Sequence, residues 1–365
     1  MRWSFKMGKV VGIDFRIHVT FFLLLIFIYF SALSKHGPKM ALIAVFFICA
    51  IFACVLIHEI GHSLLARRFG KEAKSITLLP IGGVATMEEM PEKPRQEIAM
   101  SIVGPLINLA IAGIRFLFVG QWEGIRVLTM YPNSANTFLT GLVSVSIILA
   151  IFNLIPAFPM DGGRVLRGIL ALKMDYIQAT SLAVSIGQGV SLFFIFFGLF
   201  FNIWIALIGI FIYIGAGSEK HEVMLRTVLH KVPASAVMAT NFQTLRPDES
   251  LSQALEHVYH GCQDDFPVIG KSGIQGILTR KDVLSSIHEK GTQIPVSEVM
   301  DKDFFSVKPQ EPLDKVYHQL LKKQKTAVAV LEDGLLKGMV CLDSISRYFM
   351  IQNAMADKER TLGIK

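Results

Sequence analysis

Charge is scarce in this chain. Of its 365 residues only 18% are Asp, Glu, Lys or Arg, while 52% are hydrophobic and 27 are Phe. That balance excludes an ordinary soluble domain over the whole length. Cysteine is also sparse: Cys49, Cys54, Cys262 and Cys341 form no CxxC pair, and the first two lie inside an apolar run. A disulfide framework is therefore excluded, and the four read as small buried hydrophobes in a reduced chain. No small-residue cleavage site follows the first apolar run, so that run is expected to be an anchor and not a cleaved leader. The net charge of +7 gathers into no basic stripe or reader motif, which argues against a nucleic-acid partner. Instead the basic residues cluster at the ends of apolar runs, as at Arg2, Lys6 and Lys9 and at Arg67, Arg68, Lys71 and Lys74.

What is present divides unevenly. Residues 1–217 hold almost all the long apolar runs, and 218–365 have the charge density of a soluble protein. Six segments, approximately 17–34, 41–66, 97–119, 138–156, 178–200 and 202–217, are long and apolar enough to span a bilayer, which takes roughly 20 residues. Asn202 is the expected turn between the last two. An even number of spans places both termini on one side. Arg67, Arg68, Lys71, Lys74, Lys93 and Arg95, then Arg164, Arg167 and Lys173, fall in the loops of that same side. The other side holds Lys35, Lys39 and Arg126, so the positive-inside rule puts the termini in the cytosol. The expected location is the cell membrane, multi-pass, with the lipid bilayer as an obligatory partner. The apolar, β-prone inner loop 73–90, with Gly82-Gly83 as its turn, reads as a hairpin tucked against the membrane domain, or else as a plain connection.

The second span ends in His58-Glu59-Ile60-Gly61-His62, an H-E-x-x-H motif. Positions i and i+4 share a helix face, so both imidazoles reach one metal, and Glu59 stands beside the first ligand to take a proton from water. Three ionisable residues within an apolar helix are costly without partners, which marks a functional site. Arg67 lies nine residues beyond His58, about 13 Å along a helix, which sets the imidazoles below the headgroups. A catalytic zinc takes three protein ligands and keeps a fourth position for water. Span four runs the same way as span two and ends Asn153-Leu154-Ile155-Pro156-Ala157-Phe158-Pro159-Met160-Asp161-Gly162-Gly163. Its prolines break the helix and bring Asp161 to the same inner depth. Asp161 is thus the candidate third ligand, and equally a candidate N-cap for the helix after it. Asn153 is read two ways, as a donor to a developing oxyanion or as a helix-packing hydrogen bond. His18, Arg115 and Gln188 are further polar residues at membrane depth, explained as well by packing or snorkelling as by a water path.

Together, His58-Glu59-Ile60-Gly61-His62, Gly104-Pro105…Asn108 and Asn153…Pro156…Asp161-Gly162 resemble the site-2 proteases, intramembrane metalloproteases, most closely over spans two to four and in the six-span plan of the prokaryotic branch. The resemblance implies one Zn²⁺ per chain held by His58, His62 and Asp161, with Glu59 activating water. It implies a hairpin that holds unwound substrate near Gly82 and Gly83 as an added strand. The implied substrate is the transmembrane segment of another protein, cut after local unwinding.

Beyond a charged linker, 218–234, the tail repeats itself with a period of 62 residues: Val237-Met238 recurs as Val299-Met300, Pro247 as Pro309, Leu251 as Leu313, and Gly276-Ile277-Leu278 as Gly338-Met339-Val340. Each unit reads as strand, helix, two strands and helix, and the pair resembles tandem CBS domains (235–288 and 289–352, then a tail 353–365). The expected fold is therefore a polytopic α-helical membrane domain, 1–217, with a small inner-side β-hairpin, followed by a cytosolic α/β CBS pair. This second resemblance implies an adenosine nucleotide between the repeats, with Thr279 on a phosphate and Asp282 on a ribose hydroxyl, and face-to-face homodimers. The second repeat has Cys341 and Ser344 at those places, so one nucleotide site is expected in preference to two, and a purely structural pair stays open. A CBS-regulated channel would leave the two histidines, Glu59 and Asp161 at one depth unexplained. A metal-binding receptor without hydrolysis would have no use for Glu59.

Overall fold

Long apolar helices leave their backbone groups satisfied internally, which is what a bilayer demands of a spanning segment. The computed structural model describes residues 3–71, 73–80, 82–87, 93–119, 132, 134–260, 263–271 and 273–361. These fall into two compact units, Met1–His221 and Glu222–Lys365.

The first unit opens with an antiparallel hairpin, β1 (Ser4–Val10) and β2 (Ile13–His18). Val11 and Gly12 both take positive φ, 52° and 83°, the backbone a tight two-residue hairpin turn requires. The helix α1 (Val19–Arg68) follows. It is broken inside at Gly37 (φ 81°, ψ 173°), just before Pro38, so one long helix supplies the first two expected spans. His18, left open as a water-path residue, is the N-cap of α1 and accepts from Thr20 N. Arg67 and Arg68 end the helix, where cations meet the negative end of its dipole.

The inner-loop hairpin is present as β3 (Ala73–Leu79) and β4 (Gly82–Met87). It does not stand alone. β2 pairs with β3 in parallel, giving a four-stranded sheet in the order β1-β2-β3-β4. The Gly82-Gly83 pair is also not the turn that was expected: the bend falls at Pro80, and both glycines open β4. Their role is close approach, because a Cβ on Gly83 would stand 2.7 Å from Glu59 Cγ. Ile76 and Leu78 are buried, and Phe15, Ile17 and Leu78 pack with Phe21, Ile28 and Phe52 of α1, so one sheet face is covered by the helix.

Four more apolar helices complete the membrane part. They are α2 (Pro94–Val119), α3 (Ala135–Asn153), α5 (Tyr176–Phe201) and α6 (Ile203–His230), with the short α4 (Asp161–Ala171) inserted after α3. Pro94 occupies the first helical position of α2, where a missing N–H costs nothing. Ser134 and Thr137 form a capping box on α3. Asn202 separates α5 from α6 as expected, and its Oδ1 accepts from Trp204 N at 3.0 Å. The backbones of α5 and α6 meet at Gly198, where a Cβ would come within 2.1 Å of Ala206 N. Phe193, Phe196, Phe200, Phe201 and Trp204 stay exposed on this pair, an apolar surface suited to acyl chains. Five helices are thus long and apolar enough to span, the first of them kinked into two segments. The protein is a multi-pass membrane protein with its CBS region in the cytosol. Of the cysteines, Cys54 is buried but Cys49 is exposed on the apolar surface of α1, against the expectation that all are interior. Cys262 and the side chain of Arg115 lie outside the described residues, and Gln188 is half-buried within α5.

The second unit keeps the 62-residue period in three dimensions. A 3₁₀ turn at Ala234–Ala236, α7 (Leu251–His260), β5 (Asp265–Gly270), β6 (Gly273–Thr279) and α8 (Arg280–Lys290) form the first repeat. A second 3₁₀ turn at Val296–Glu298, the short β7 (Ser306–Val307), α9 (Leu313–Lys323), β8 (Ala327–Glu332), β9 (Leu335–Cys341) and α10 (Leu342–Thr361) form the second. Leu245, Leu251, Phe266, Val268 and Leu278 centre one core, and Leu313, Leu320, Val328, Val330 and Val340 the other. The expected linker is not loose chain. α6 continues to His230, and Leu225 and Leu229 join the core of the second repeat. No Gly or Pro interrupts 218–232, and Pro233 ends the run. For the same reason α10 runs through most of the expected tail, as far as Thr361.

Candidate metal centre

Apolar α1 brings His58 and His62 to one face, four residues apart, both buried at 5% and 7% exposure. Asp161 joins them from α4. Its helix begins at Asp161 itself and the N-cap is Met160, so the carboxylate is not the cap considered from sequence and turns toward the histidines. The chain reaches this point by folding back on itself after α3. A Cβ on Gly162 would meet the carbonyl oxygens of Ile155 and Leu154 at 2.3 and 2.4 Å, and one on Gly163 would meet Phe158 N at 2.6 Å. Only glycine lets the Pro156–Pro159 segment pack this closely against the start of α4.

Three ligand atoms converge. His58 Nε2 and His62 Nε2 are 3.0 Å apart, and Asp161 Oδ2 is 3.3 Å from the first and 3.2 Å from the second. A tetrahedral zinc with bonds of about 2.05 Å sets its ligand atoms about 3.3 Å from one another. The observed triangle has that size, and two imidazoles with one carboxylate are a donor set of a catalytic zinc. The residues present therefore fit the metal. Among the described residues this is a group of His and Asp side chains able to hold one ion.

The surroundings come largely from α2. His62 Nδ1 lies 2.6 Å from the Met100 carbonyl oxygen, which requires an Nδ1–H donor and leaves the Nε2 lone pair for a metal. Asn108 stands 3.1 Å from His58 Nδ1. Gly104 of the same helix has no room for a side chain, because its Cβ would fall 2.3 Å from His62 Nε2 and 2.6 Å from His58 Nε2. Gly104 and Asn108 belong to the motif noted in the sequence, and their placement against the imidazoles was not foreseen from it.

Glu59 lies half-buried against Gly83 of β4, and its carboxylate makes no hydrogen bond among the described residues. Asn153 is the last residue of α3, half-buried, and its side-chain amide likewise makes no protein hydrogen bond among the described residues. Below the triad, Arg167 of α4 is buried at 1% exposure, donating to Glu97 of α2 at 2.7 Å and to Glu219 of α6 at 2.8 Å. Its guanidinium also lies over the rings of Phe158 and Tyr176.

In the second unit a cavity of 1030 Å³ lies between the repeats, lined among others by Phe242, Asp265, Arg280, Lys281, Thr326 and Arg347. Thr279 and Asp282, expected from the sequence to contact a nucleotide, are not among the residues that line it and instead form the capping box of α8. Thr279 N and Oγ1 both donate to Asp282 Oδ2, and Asp282 N donates to Thr279 Oγ1. The second repeat reproduces the box at Cys341 and Ser344.

Residues 46–131 and 124–195 match the family described as peptidase family M50, and 234–289 and 296–351 match the CBS domain. A zinc metalloprotease of Methanocaldococcus jannaschii is 34% identical over 353 residues, covering 96% of this chain and 97% of that protein. Stage IV sporulation protein FB of Bacillus subtilis is 30% identical over 178 residues, 48% of this chain and 55% of the other. The solved site-2 protease from Methanocaldococcus jannaschii is 33% identical, covering 60% of this chain and 95% of that one with a TM-score of 0.43. With a buried His-His-Asp triangle at the end of a spanning helix and a relative matched from end to end, the chain belongs to peptidase family M50, the site-2 type of zinc metalloendopeptidase, here fused to tandem CBS domains.

Proposed function

We propose that His58, His62 and Asp161 hold one Zn²⁺ per chain and that Glu59 is the general base in hydrolysis of a peptide bond within a substrate's transmembrane segment. The observation that carries this is the triangle of ligand atoms, 3.0 to 3.3 Å on a side, with the Glu59 carboxylate next to the first ligand in the chain and making no hydrogen bond among the described residues. When bound, zinc supplies Lewis acidity and brings the pKa of water to about 7. Glu59 takes the proton from the attacking water and passes it to the leaving amine. Asn153, with its amide uncommitted, donates to the oxyanion that develops on the scissile carbonyl.

The substrate docks on β4. This strand is the edge of the sheet, pairing among the described strands only with β3, and its Gly83 lies against Glu59. An unwound segment added along that edge, past Gly82 and Gly83, presents its backbone to the base. In the test, Glu59→Gln should lower cleavage of a co-reconstituted transmembrane substrate by at least ~100-fold, with one zinc per chain retained. Wild-type cleavage in that variant would refute the mechanism.

For the cytosolic unit the proposal is an adenosine nucleotide in the cavity between repeats. Arg280, Lys281 and Arg347 supply cations for phosphates. Asp282 Oδ2 is committed to Thr279, which leaves Oδ1 for a ribose hydroxyl and puts Thr279 at the α8 N-terminus, a favourable place for a phosphate. We assign 1–217 to catalysis, 235–288 and 289–352 to the sensing repeats, 218–234, helical as far as His230, to their connection, and 353–365 to the C-terminal tail, which α10 enters as far as Thr361. Exposed Leu284, Met350, Ile351 and Met355 supply an apolar surface for pairing with a second copy.

A further inference from the structure

Both zinc-facing imidazoles depend on one helix for their orientation, and the two supports differ in kind. For His62 the support is the Met100 carbonyl, which only accepts, so Nδ1 must carry the proton. For His58 it is the side-chain amide of Asn108, buried at 1% exposure, with Nδ2 set 3.1 Å from His58 Nδ1 and with Oδ1 buried and lacking a hydrogen-bond partner among the described residues. In that orientation the amide donates, His58 Nδ1 accepts, and the ring proton sits on Nε2, where it would block a metal bond. A half-turn of the Asn108 amide exchanges its oxygen and nitrogen within the same volume. The buried amide has one end without a partner among the described residues in either orientation, but only with Oδ1 toward His58 does the His58 Nε2 lone pair face His62 Nε2 and Asp161 Oδ2.

The geometry points to Asn108 as a positioning residue for zinc: its carbonyl oxygen accepts from His58 Nδ1–H and fixes the tautomer in which Nε2 ligates. α2 thereby presets both histidines, Met100 through its backbone and Asn108 through its side chain, on either side of Gly104, whose lack of a Cβ admits the two rings. Ligating histidines held in this way by an outer acceptor lose metal affinity by about 10- to 100-fold when the acceptor is removed. The positioning role rests on the metal site proposed above.

The test is the zinc dissociation constant of the full-length protein in detergent, by chelator competition, together with the visible spectrum of the Co²⁺ form. Asn108→Leu, close in volume and without an acceptor, should weaken zinc about 10- to 100-fold while the melting temperature of the metal-free protein stays put. Asn108→Asp, which only accepts, should hold zinc as tightly as wild type and keep the Co²⁺ spectrum. That variant decides the matter even where Asn108→Leu does not fold, since a donating amide would make the carboxylate the worst replacement. Wild-type zinc affinity in Asn108→Leu, or lost affinity in Asn108→Asp, would overturn the assignment. Failure of the wild-type protein itself to bind zinc would instead overturn the metal site, so the two failures are distinguishable.

Discussion

Gly104 carries as much of the metal site as the ligands do. Replacing it with Ala would drive a methyl carbon to within 2.3 Å of His62 Nε2, a distance that requires the ring or helix α2 to move. Gly104→Ala is therefore expected to lose most bound zinc and at least ~100-fold in cleavage, since small displacements at a reacting centre are this costly. Metal analysis of the purified variant checks it. At the other end of the chain, burial pushes the Asp265 carboxyl up to about 6, with Asp264 and Asp282 adding repulsion and the Thr326 hydroxyl opposing the rise. The folded form therefore holds its proton more tightly than the unfolded chain. The stability this contributes is complete below about pH 4 and is lost as the pH rises through about 6. Asp265→Asn should remove that slope and leave the CBS unit about 1–2 kcal/mol more stable at pH 7, read as slower hydrogen exchange of the β5 amides.

Elements are joined at the site by one buried cation. Arg167 of α4 holds Glu97 of α2 and Glu219 of α6, so the helix that begins with Asp161 is pinned to two others. Arg167→Met leaves the buried Glu97 and the half-buried Glu219 without their shared cation. The expected loss is about 3–5 kcal/mol, seen as a lower melting temperature in detergent, with Glu97→Gln restoring part of it. The strand β4 offers a second test: Gly83→Val would press on Glu59 and should reduce cleavage while zinc stays bound.

The helices, the H-E-x-x-H pair and the gathering of Asp161 beside it were legible in the sequence because each has a local signature. Apolar runs of membrane length, an i,i+4 spacing and a proline-broken span end all survive without tertiary information. The repeat at 62 residues was legible for the same reason, since it only requires comparing the chain with itself. The parallel pairing of β2 with β3 was not, because the two strands are separated by the whole of α1 and nothing local encodes their partnership. Gly82-Gly83 looked like a turn because glycine pairs usually are, whereas here Gly83 is small to admit Glu59. The roles of Gly104, Asn108 and Arg167 likewise depend on contacts between distant helices.

At the scale of the whole molecule, a spanning domain that brings His58, His62 and Asp161 together is followed, along α6, by a cytosolic CBS pair. If the repeat pair senses nucleotide, AMP or ATP should slow hydrogen exchange in α8 and β6 of the full-length protein, and Asp282→Ala should abolish the effect. No change with any adenosine nucleotide would leave the pair structural. Purified protein, co-reconstituted with a single-span substrate in vesicles, can be assayed by mass spectrometry of both product fragments. The expected result is a zinc-dependent cut inside the apolar span, absent in Glu59→Gln. A cut confined to the substrate's aqueous flanks, or one that persists in Glu59→Gln, would contradict it.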